Sequence, residues 1–573
     1  MANVRHLNAF SVYTKVHPPA WLATCSNAFT ITCHFTHTHL IYLSPAFVFI
    51  MAIEDDEKKG QHGTDIASTA SADIVPIDIS EHGTMKRALK PRHSQMIALG
   101  GCVGTGLFVG TGATLALGGP AFLLIAFMVL IFLVYIIVTA IVEMVAYLPV
   151  GGASLSYYGT RYVSKSLGFA MGWLYVYSLG ILVPYEITAG ALVIDYWDSP
   201  VNVAVWITIF MVLIVSLNLL PVEYYGESEF WFSTIKVFTI IGLLILSLVL
   251  FWGGGPKQSG ILGFHYWKDP GAINTWLVDG AGGRLVAFVR TLVLSAFPFT
   301  FSPELLIATS GEMQNPRKDL GKAANRFVLR LIVFYLGTVL AIGIICPSDD
   351  KDLVSSGSNA KASAFVVGIK HAGIHGLGSV VNAAILTTAW SAGNAYLYMS
   401  SRALYALAIS GQAPKIFLRC TNRGVPYAAV LACSSFGVLA YLNCASSSST
   451  VFTWFVNITN TSAFISWVCC CIVYLRFRSA YNTQGKPELP YHSWTQPYGA
   501  WFALFFFIIL TLINGFNVFF PRQLSASSFF TAYIGIPAFM VTYAGHKLLK
   551  GRSDPLWITS DEINIWEGLE VIH

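Results

Sequence analysis

The chain has 573 residues, of which 55% are apolar, 14% aromatic and only 11% charged, and its mean hydropathy is +0.62. An average soluble protein carries about 25% charge, so a string of soluble domains of about 150 residues each is excluded, because this chain cannot cover a globular surface with charge. The net charge of +5 is small for the length, and no long basic run interleaved with aromatics occurs, which sets nucleic acid aside as a partner.

In chain order, residues 29–52 are fairly apolar, but His34, His37, His39 and Pro45 interrupt them and no small-residue cleavage site follows. They make a poor signal peptide. Met51 opens a polar, low-complexity stretch, so the reading is that translation starts there, that residues 1–50 are not translated and that residues 1–92 form a cytoplasmic tail. The alternative is an additional weak hydrophobic segment. A hydrocarbon core about 30 Å thick takes about 20 apolar residues per helix, and about twelve such stretches follow. They are 94–117, 120–148, 168–195, 201–220, 230–252, 285–311, 327–346, 377–402, 426–444, 450–475, 498–519 and 526–549, within a transmembrane domain at 93–550 that a short tail at 551–573 follows.

Positive charge is retained on the cytoplasmic side. Lys86, Arg87, Lys90 and Arg92, then Arg161 and Lys165, then Arg317, Lys318, Lys322 and Arg326 flank alternate ends of the spans, and the same side continues with Lys415, Arg419, Arg423, Arg476, Arg478, Lys486, Lys547, Lys550 and Arg552. The opposite loops at 118–119, 196–200 and 445–449 carry no Lys or Arg. Both termini are therefore expected to be cytoplasmic. Ten Cys in so long a chain are no disulfide framework. Cys469, Cys470 and Cys471 point about 100° apart on a helix and cannot share a metal, so they read as small residues facing lipid or a neighbouring helix.

Two spans are interrupted. In the first, Gly100, Gly101, Gly104, Gly106, Gly110 and Gly112 crowd one helix, and Gly104 lies about 15 Å in, near the middle of the bilayer. Close helix packing accounts for a spacing such as Gly106 to Gly110, but the cluster GCVGTG at 101–106 goes beyond it. It is not a dinucleotide fingerprint, since the order is not GxGxxG and no strand precedes it. In the sixth, FPFTFSPE at 297–304 sets Pro298 and Pro303 in an apolar helix, each removing a backbone donor and crowding the turn before it. Paired interruptions of this kind mark a transporter site, and unwound backbone at that depth has to line a cavity or be buried in protein. Amides bared by one break suit a carboxylate and carbonyls freed by the other suit an ammonium, so the pattern fits a zwitterion.

At these residues the chain resembles fungal amino acid permeases of the amino acid, polyamine and organocation transporter superfamily. The matching motifs are RHSQMIALGGCVGTGLFVGTG (92–112), EMVAYLPVGG (143–152), LGFAMGWLY (167–175), PYEITAGALVIDYW (184–197), EFWFSTIKV (229–237), PELLIATSGEMQNPRK (303–318), AWSAGNAYLYMSSRALYALAISGQAPK (389–415) and CCIVYLRFR (470–478). The resemblance implies an all-α integral membrane protein with a LeuT-like 5+5 inverted repeat, broken helices one and six and two extra helices. It also implies proton-coupled uptake at the plasma membrane, with the substrate carboxylate held by Gly104, Thr105 and Gly106. The family's FxFxGxE in span six has Ser302 here in place of Gly, with Phe297, Phe299 and Phe301 displaced by one, which leaves open which Phe caps the substrate. Val142 stands where the family has Gly before Glu143.

Ionisable residues inside a span cost at least about 2.5–3.5 kcal/mol at its centre and ask for a function. Glu186, about 14 Å from the outer end of span three, reads as part of the substrate or proton path, against a structural hydrogen bond to a neighbouring helix. Glu304 sits at the second break, either touching the ligand or satisfying unwound amides. Lys236 is expected about 9 Å inside span five, where its stem can snorkel to the interface; the resemblance instead places it where proton-coupled relatives have a lysine in place of a sodium ion. Glu143, Glu312, Arg317 and Lys318, at cytoplasmic helix ends, read as a solvated face, with a cytoplasmic gate as the alternative. Ser391 and Asn394 in span eight either contact substrate or hydrogen-bond between helices.

The substrate-binding candidates are thus Gly104, Thr105, Gly106, Glu186, Phe299, Phe301, Ser302, Glu304 and Ser391, with Lys236 for proton coupling. No catalytic residue, metal or cofactor is called for, and the partners are an amino acid, protons and the lipid bilayer. Lys58 and Lys59 are candidate ubiquitin acceptors for ubiquitin-ligase adaptors, as the resemblance implies, or a solvated charge cluster. The expected function is secondary active uptake by alternating access, with a lean to proline or neutral amino acids from PELL and SGEMQNPRK. A non-transporting amino acid sensor with the same fold is the alternative from another class.

Overall fold

The computed structural model describes residues 104–149, 154–258, 260–304, 316–355, 363–446, 448–486, 488–521 and 523–566. The start at Met51, the N-terminal tail with Lys58 and Lys59, residues 94–103 of the first span and Glu312 lie outside the described residues.

The described chain is helical and contains no strand. By length and apolarity seven of its helices can cross a bilayer, or eight if Ala526–Tyr533 and Gly535–Leu549, bent by 46°, are one span. Val203–Leu219 and Tyr498–Ile513 are shorter apolar helices, and Leu377–Ile409 is long but buries the polar residues Asn382, Thr388, Ser391, Asn394, Ser400 and Ser401. Each stretch expected to span therefore contains helix.

Sequence chemistry sets several boundaries. Span three runs Lys165–Ile194 behind Ser164, whose side chain accepts from Leu167 N, and span four runs Val203–Leu219 behind Asn202, which accepts from Ala204 N; both are short polar N-caps that satisfy orphan amides. Spans one and two join at Gly119, where φ is 79° and ψ is 169°. No other residue type fits there, because a Cβ on Gly119 would lie 2.7 Å from Ala272 O and the backbone is left-handed. The segment after span five closes on this corner through Ala121 N donating to Ala272 O and Asn274 N donating to Gly118 O.

Span five differs most from expectation. It runs Val222–Phe251 rather than from 230, with a single buried stripe that includes Tyr225, Glu229, Ser233, Lys236, Ile240 and Leu243. The opposite face presents Phe238, Ile245 and Leu248 at 72%, 58% and 61% exposure, an apolar surface suited to lipid. The acidic start VEYYGESE looked like a loop, yet Glu229 sits on the buried side and the helix takes it in.

Span ten runs Ser448–Thr483, past the expected end at 475. Cys469, Cys470 and Cys471 are buried within it, so they face helices and not lipid. The added turns correct the solvated reading of Glu143, which is fully buried. Its carboxylate accepts from Tyr474 Oη and from Ser493 N at 2.8 Å, and Arg478 Nη1 lies 3.5 Å away. At the same end the segment 554–566 lies across the helix termini. Ile558 N donates to Val163 O, Arg161 Nε to Asn564 O, and Gln484 Nε2 to Ser560 O and Ile563 O, while Ile563 and Ile565 join the core.

Candidate functional site

The second break is plain in the backbone. The helix of span six, Gly280–Ser295, gives way to a tight turn at Phe297–Phe299, an extended Thr300 (φ −56°, ψ 131°) and a left-handed Phe301 (φ 55°) before Ser302 resumes helix. Left-handed backbone costs a non-glycine residue roughly 1–2 kcal/mol, and Phe301 is held in it by burial and by Tyr175, whose ring centre is 6.1 Å from its own. Protein donors reach four of the carbonyls around the break. Asn460 Nδ2 donates to Val293 O, Thr300 Oγ1 to Phe297 O, Tyr335 Oη to Pro298 O and Ser302 Oγ to Phe299 O. Each of these four carbonyls has a protein donor, as buried backbone requires.

On the span-one side, helix is described from Thr105, with a wide turn at Gly106–Gly110 and regular α-helix from Thr111. Gly106 lies against the other break, since a Cβ there would come within 2.8 Å of the Phe297 ring and 3.5 Å of Pro298 Cα. A larger residue would drive the two breaks apart. Beside this contact opens a cavity of about 190 Å³ bounded by Gly106, Gly110, Thr111, Thr114, Tyr185, Arg290, Phe297, Pro298 and Phe452, among others. Tyr185 packs on Phe297 and Phe452 with ring centres 4.5 and 4.8 Å away.

Among the Phe residues of span six it is thus Phe297 that borders the cavity. Phe299 turns to Phe127 and Tyr335 (5.5 and 4.7 Å between ring centres) and Phe301 to Tyr175. Ser302 spends its hydroxyl on Phe299 O. The displaced FxF spacing hid this, because a broken backbone has no helical period from which to read direction.

Three carboxylates are held inside the helices, two of them buried and Glu304 partly so. Glu186 Oε2 accepts from Thr105 Oγ1 at 2.7 Å, and Glu186 is 2% exposed. Glu304 Oε1 accepts from Ser466 Oγ at 2.7 Å, Ser466 Oγ in turn lies 2.8 Å from Tyr175 Oη, and Oε2 has no partner among the described residues. The third, Glu229, was not singled out in the sequence. Its Oε1 is 3.7 Å from Lys236 Nζ, and it accepts from Ser391 Oγ at 2.8 Å and Ser233 Oγ at 3.4 Å. Ser391 therefore bonds between helices. Lys236 is 2% exposed and lies about 21 Å from the start of its helix at 1.5 Å per residue, which overturns the snorkelling alternative. Glu and Lys seven apart, with Ser at the fourth position between, share one helix face, and that spacing was the available signal for Glu229. Span eight links the two groups: a Cβ built on Gly393, two residues from Ser391, would lie 3.3 Å from Glu186 Cβ.

The amino acid permease family matches residues 93–558. The chain belongs to that family. It is 48% identical over 501 residues to a proline-specific permease of Emericella nidulans, covering 86% of this chain and 90% of the relative. A proline-specific permease of Saccharomyces cerevisiae is 45% identical over 499 residues, covering 86% of this chain and 79% of the relative. A dicarboxylic amino acid permease of the same yeast is 41% identical over 513 residues, covering 88% and 84%. Among solved structures, a mutant of the Eremococcus coleocola manganese transporter superposes with TM-score 0.51 at 12% identity, covering 81% of this chain and 96% of that one, a likeness of fold alone. The chain is thus a multi-pass membrane permease for amino acids and not an enzyme, with the broken-helix transporter fold.

Proposed function

We propose that this permease carries proline, and more broadly neutral amino acids, into the cell by proton-coupled alternating access at the plasma membrane, with both termini cytoplasmic. The observation that carries the reading is the meeting of Gly106 with Phe297 beside the Thr105–Glu186 hydrogen bond, in a chain 48% identical to a proline-specific permease.

In this reading the carboxylate of proline lies at Gly104, Thr105 and Gly106, where the start of a helix presents amides and a positive dipole end. Its ring nitrogen, a cation at neutral pH, is drawn to Glu186, whose described partner Thr105 is a neutral hydroxyl. The apolar ring rests against Phe297 and Tyr185. Phe299, Phe301, Ser302 and Glu304 act behind this surface, holding the unwound segment in shape. A proton is carried by the Lys236–Glu229 pair, which Ser391 ties to span eight. Rocking of one group of helices against the other then exposes the site to each side in turn.

Uptake of labelled proline by permease-deficient yeast cells expressing the full chain, with and without a protonophore, tests the reading. Saturable uptake that collapses with the protonophore is expected. Absence of uptake above vector cells would overturn transport, and uptake indifferent to the protonophore would overturn proton coupling.

A further inference from the structure

Arg290 is a charge in span six that neither the breaks nor the proton pair uses. It is 6% exposed, and it borders the cavity together with Thr111, Thr114, Leu117 and Trp276. One guanidinium nitrogen, Nη1, donates to Asn514 O at 3.0 Å. Tyr533 is the titratable group that faces it, and no carboxylate pairs with it among the described residues. A guanidinium has five donors in a planar fork matched to a carboxylate. A single bond to a carbonyl leaves most of that capacity, and all of the charge, uncompensated.

We propose that Arg290 forms a second, vestibular subsite that takes the carboxylate of an amino acid before it reaches the breaks. The subsite rests on the transport reading above but is separate from the central site. Arg290 lies in the regular helix Gly280–Ser295, ahead of the break that begins at Phe297. Thr111 and Thr114 form the wall contributed by span one, and their hydroxyls already bond to Leu107 O and to Gly110 O and Thr111 O. Arg290 is thus the charged donor of this cavity. The same positive charge repels side chains such as those of lysine and arginine as they enter, so the subsite also biases selection towards neutral and acidic substrates.

The test is the concentration dependence of labelled proline uptake in cells expressing the full chain as wild type, Arg290→Gln and Arg290→Lys, with surface protein measured in each. Arg290→Gln is expected to raise KM about tenfold, the lower end for loss of a hydrogen bond to a charged group, with Vmax per surface molecule within about twofold, and to increase competition by lysine. Arg290→Lys, which keeps the charge, is expected to recover most of the affinity. Unchanged KM in Arg290→Gln, or an equal fall of Vmax in both variants, would overturn the subsite and leave Arg290 as a tether to span eleven. Repeating the assay with chloride replaced by methanesulfonate separates the two anion sources: a loss of wild-type uptake that Arg290→Gln does not share would assign Arg290 to an inorganic anion and overturn the carboxylate. No saturable uptake by the wild type would sink the transport reading and the subsite with it.

Discussion

Glu186 and Glu229 are both fully inside the protein, yet they are satisfied in opposite ways. Glu229 has an ammonium at 3.7 Å and two serine hydroxyls, so its charge is balanced within the fold. Glu186 has the neutral hydroxyl of Thr105 beside the place where the breaks meet. A buried charge is tolerable when paired; the first carboxylate has its counter-ion within the fold, and the second has a neutral hydroxyl as its described partner. The proposed function gives them correspondingly different work, proton transfer for one and recognition of the substrate amine for the other.

The strongest way to break this comparison is to remove the resident counter-ion. Lys236→Met leaves Glu229 buried and alone, a change that costs about 3–5 kcal/mol in buried pairs, and is expected to abolish uptake and lower the amount of folded protein, as read by fluorescence-detected size exclusion. Lys236→Met with Glu229→Gln is expected to restore folded protein, but its uptake should no longer respond to a protonophore. Restored coupling in the double variant would remove the pair from the proton path.

Glu186→Gln removes charge without removing the partner of Thr105. KM for proline should rise roughly 10- to 100-fold, as for loss of a hydrogen bond to a charged group, with thermal stability nearly unchanged. A loss of stability as large as the loss of affinity would make Glu186 a structural residue.

Gly106→Ala pushes a methyl group into the Phe297 ring and is expected to cost about 1–3 kcal/mol of overpacking, read as reduced Vmax and a lower melting temperature. Phe297→Leu should rescue part of the loss, because it removes the clashing ring edge. The smallest effect is expected from Ser391→Ala. It takes one donor from Glu229 and leaves Lys236 and Ser233 beside it, and it should shift the pH dependence of uptake while leaving KM for proline in place. A change in KM alone would move Ser391 back to the substrate surface.

Much of the fold was legible because lipid imposes a simple rule, about 20 apolar residues per crossing, and because polar caps such as Ser164 and Asn202 mark helix starts. The break in span six was visible in its Pro pair, because each Pro removes a donor inside an apolar helix. What escaped depends on contacts far apart in sequence. The acidic start of span five reads as loop until Lys236 is seen to hold Glu229, and Glu143 reads as solvated until the added turns of span ten and Ser493 enclose it. Arg290, inside the expected span six, was not singled out, and Phe297 could not be told from Phe299 because the FxF spacing does not give side-chain direction through a break.

A cryo-electron microscopy structure of the full chain with proline is the most direct measurement of the central claim. Density for one proline between Gly106 and Phe297, its carboxylate at the amides of Gly104, Thr105 and Gly106 and its nitrogen in hydrogen-bond reach of Glu186, is expected. Proline bound elsewhere, or spans one and six closed on each other with Glu186 sealed away from it, would contradict the assignment.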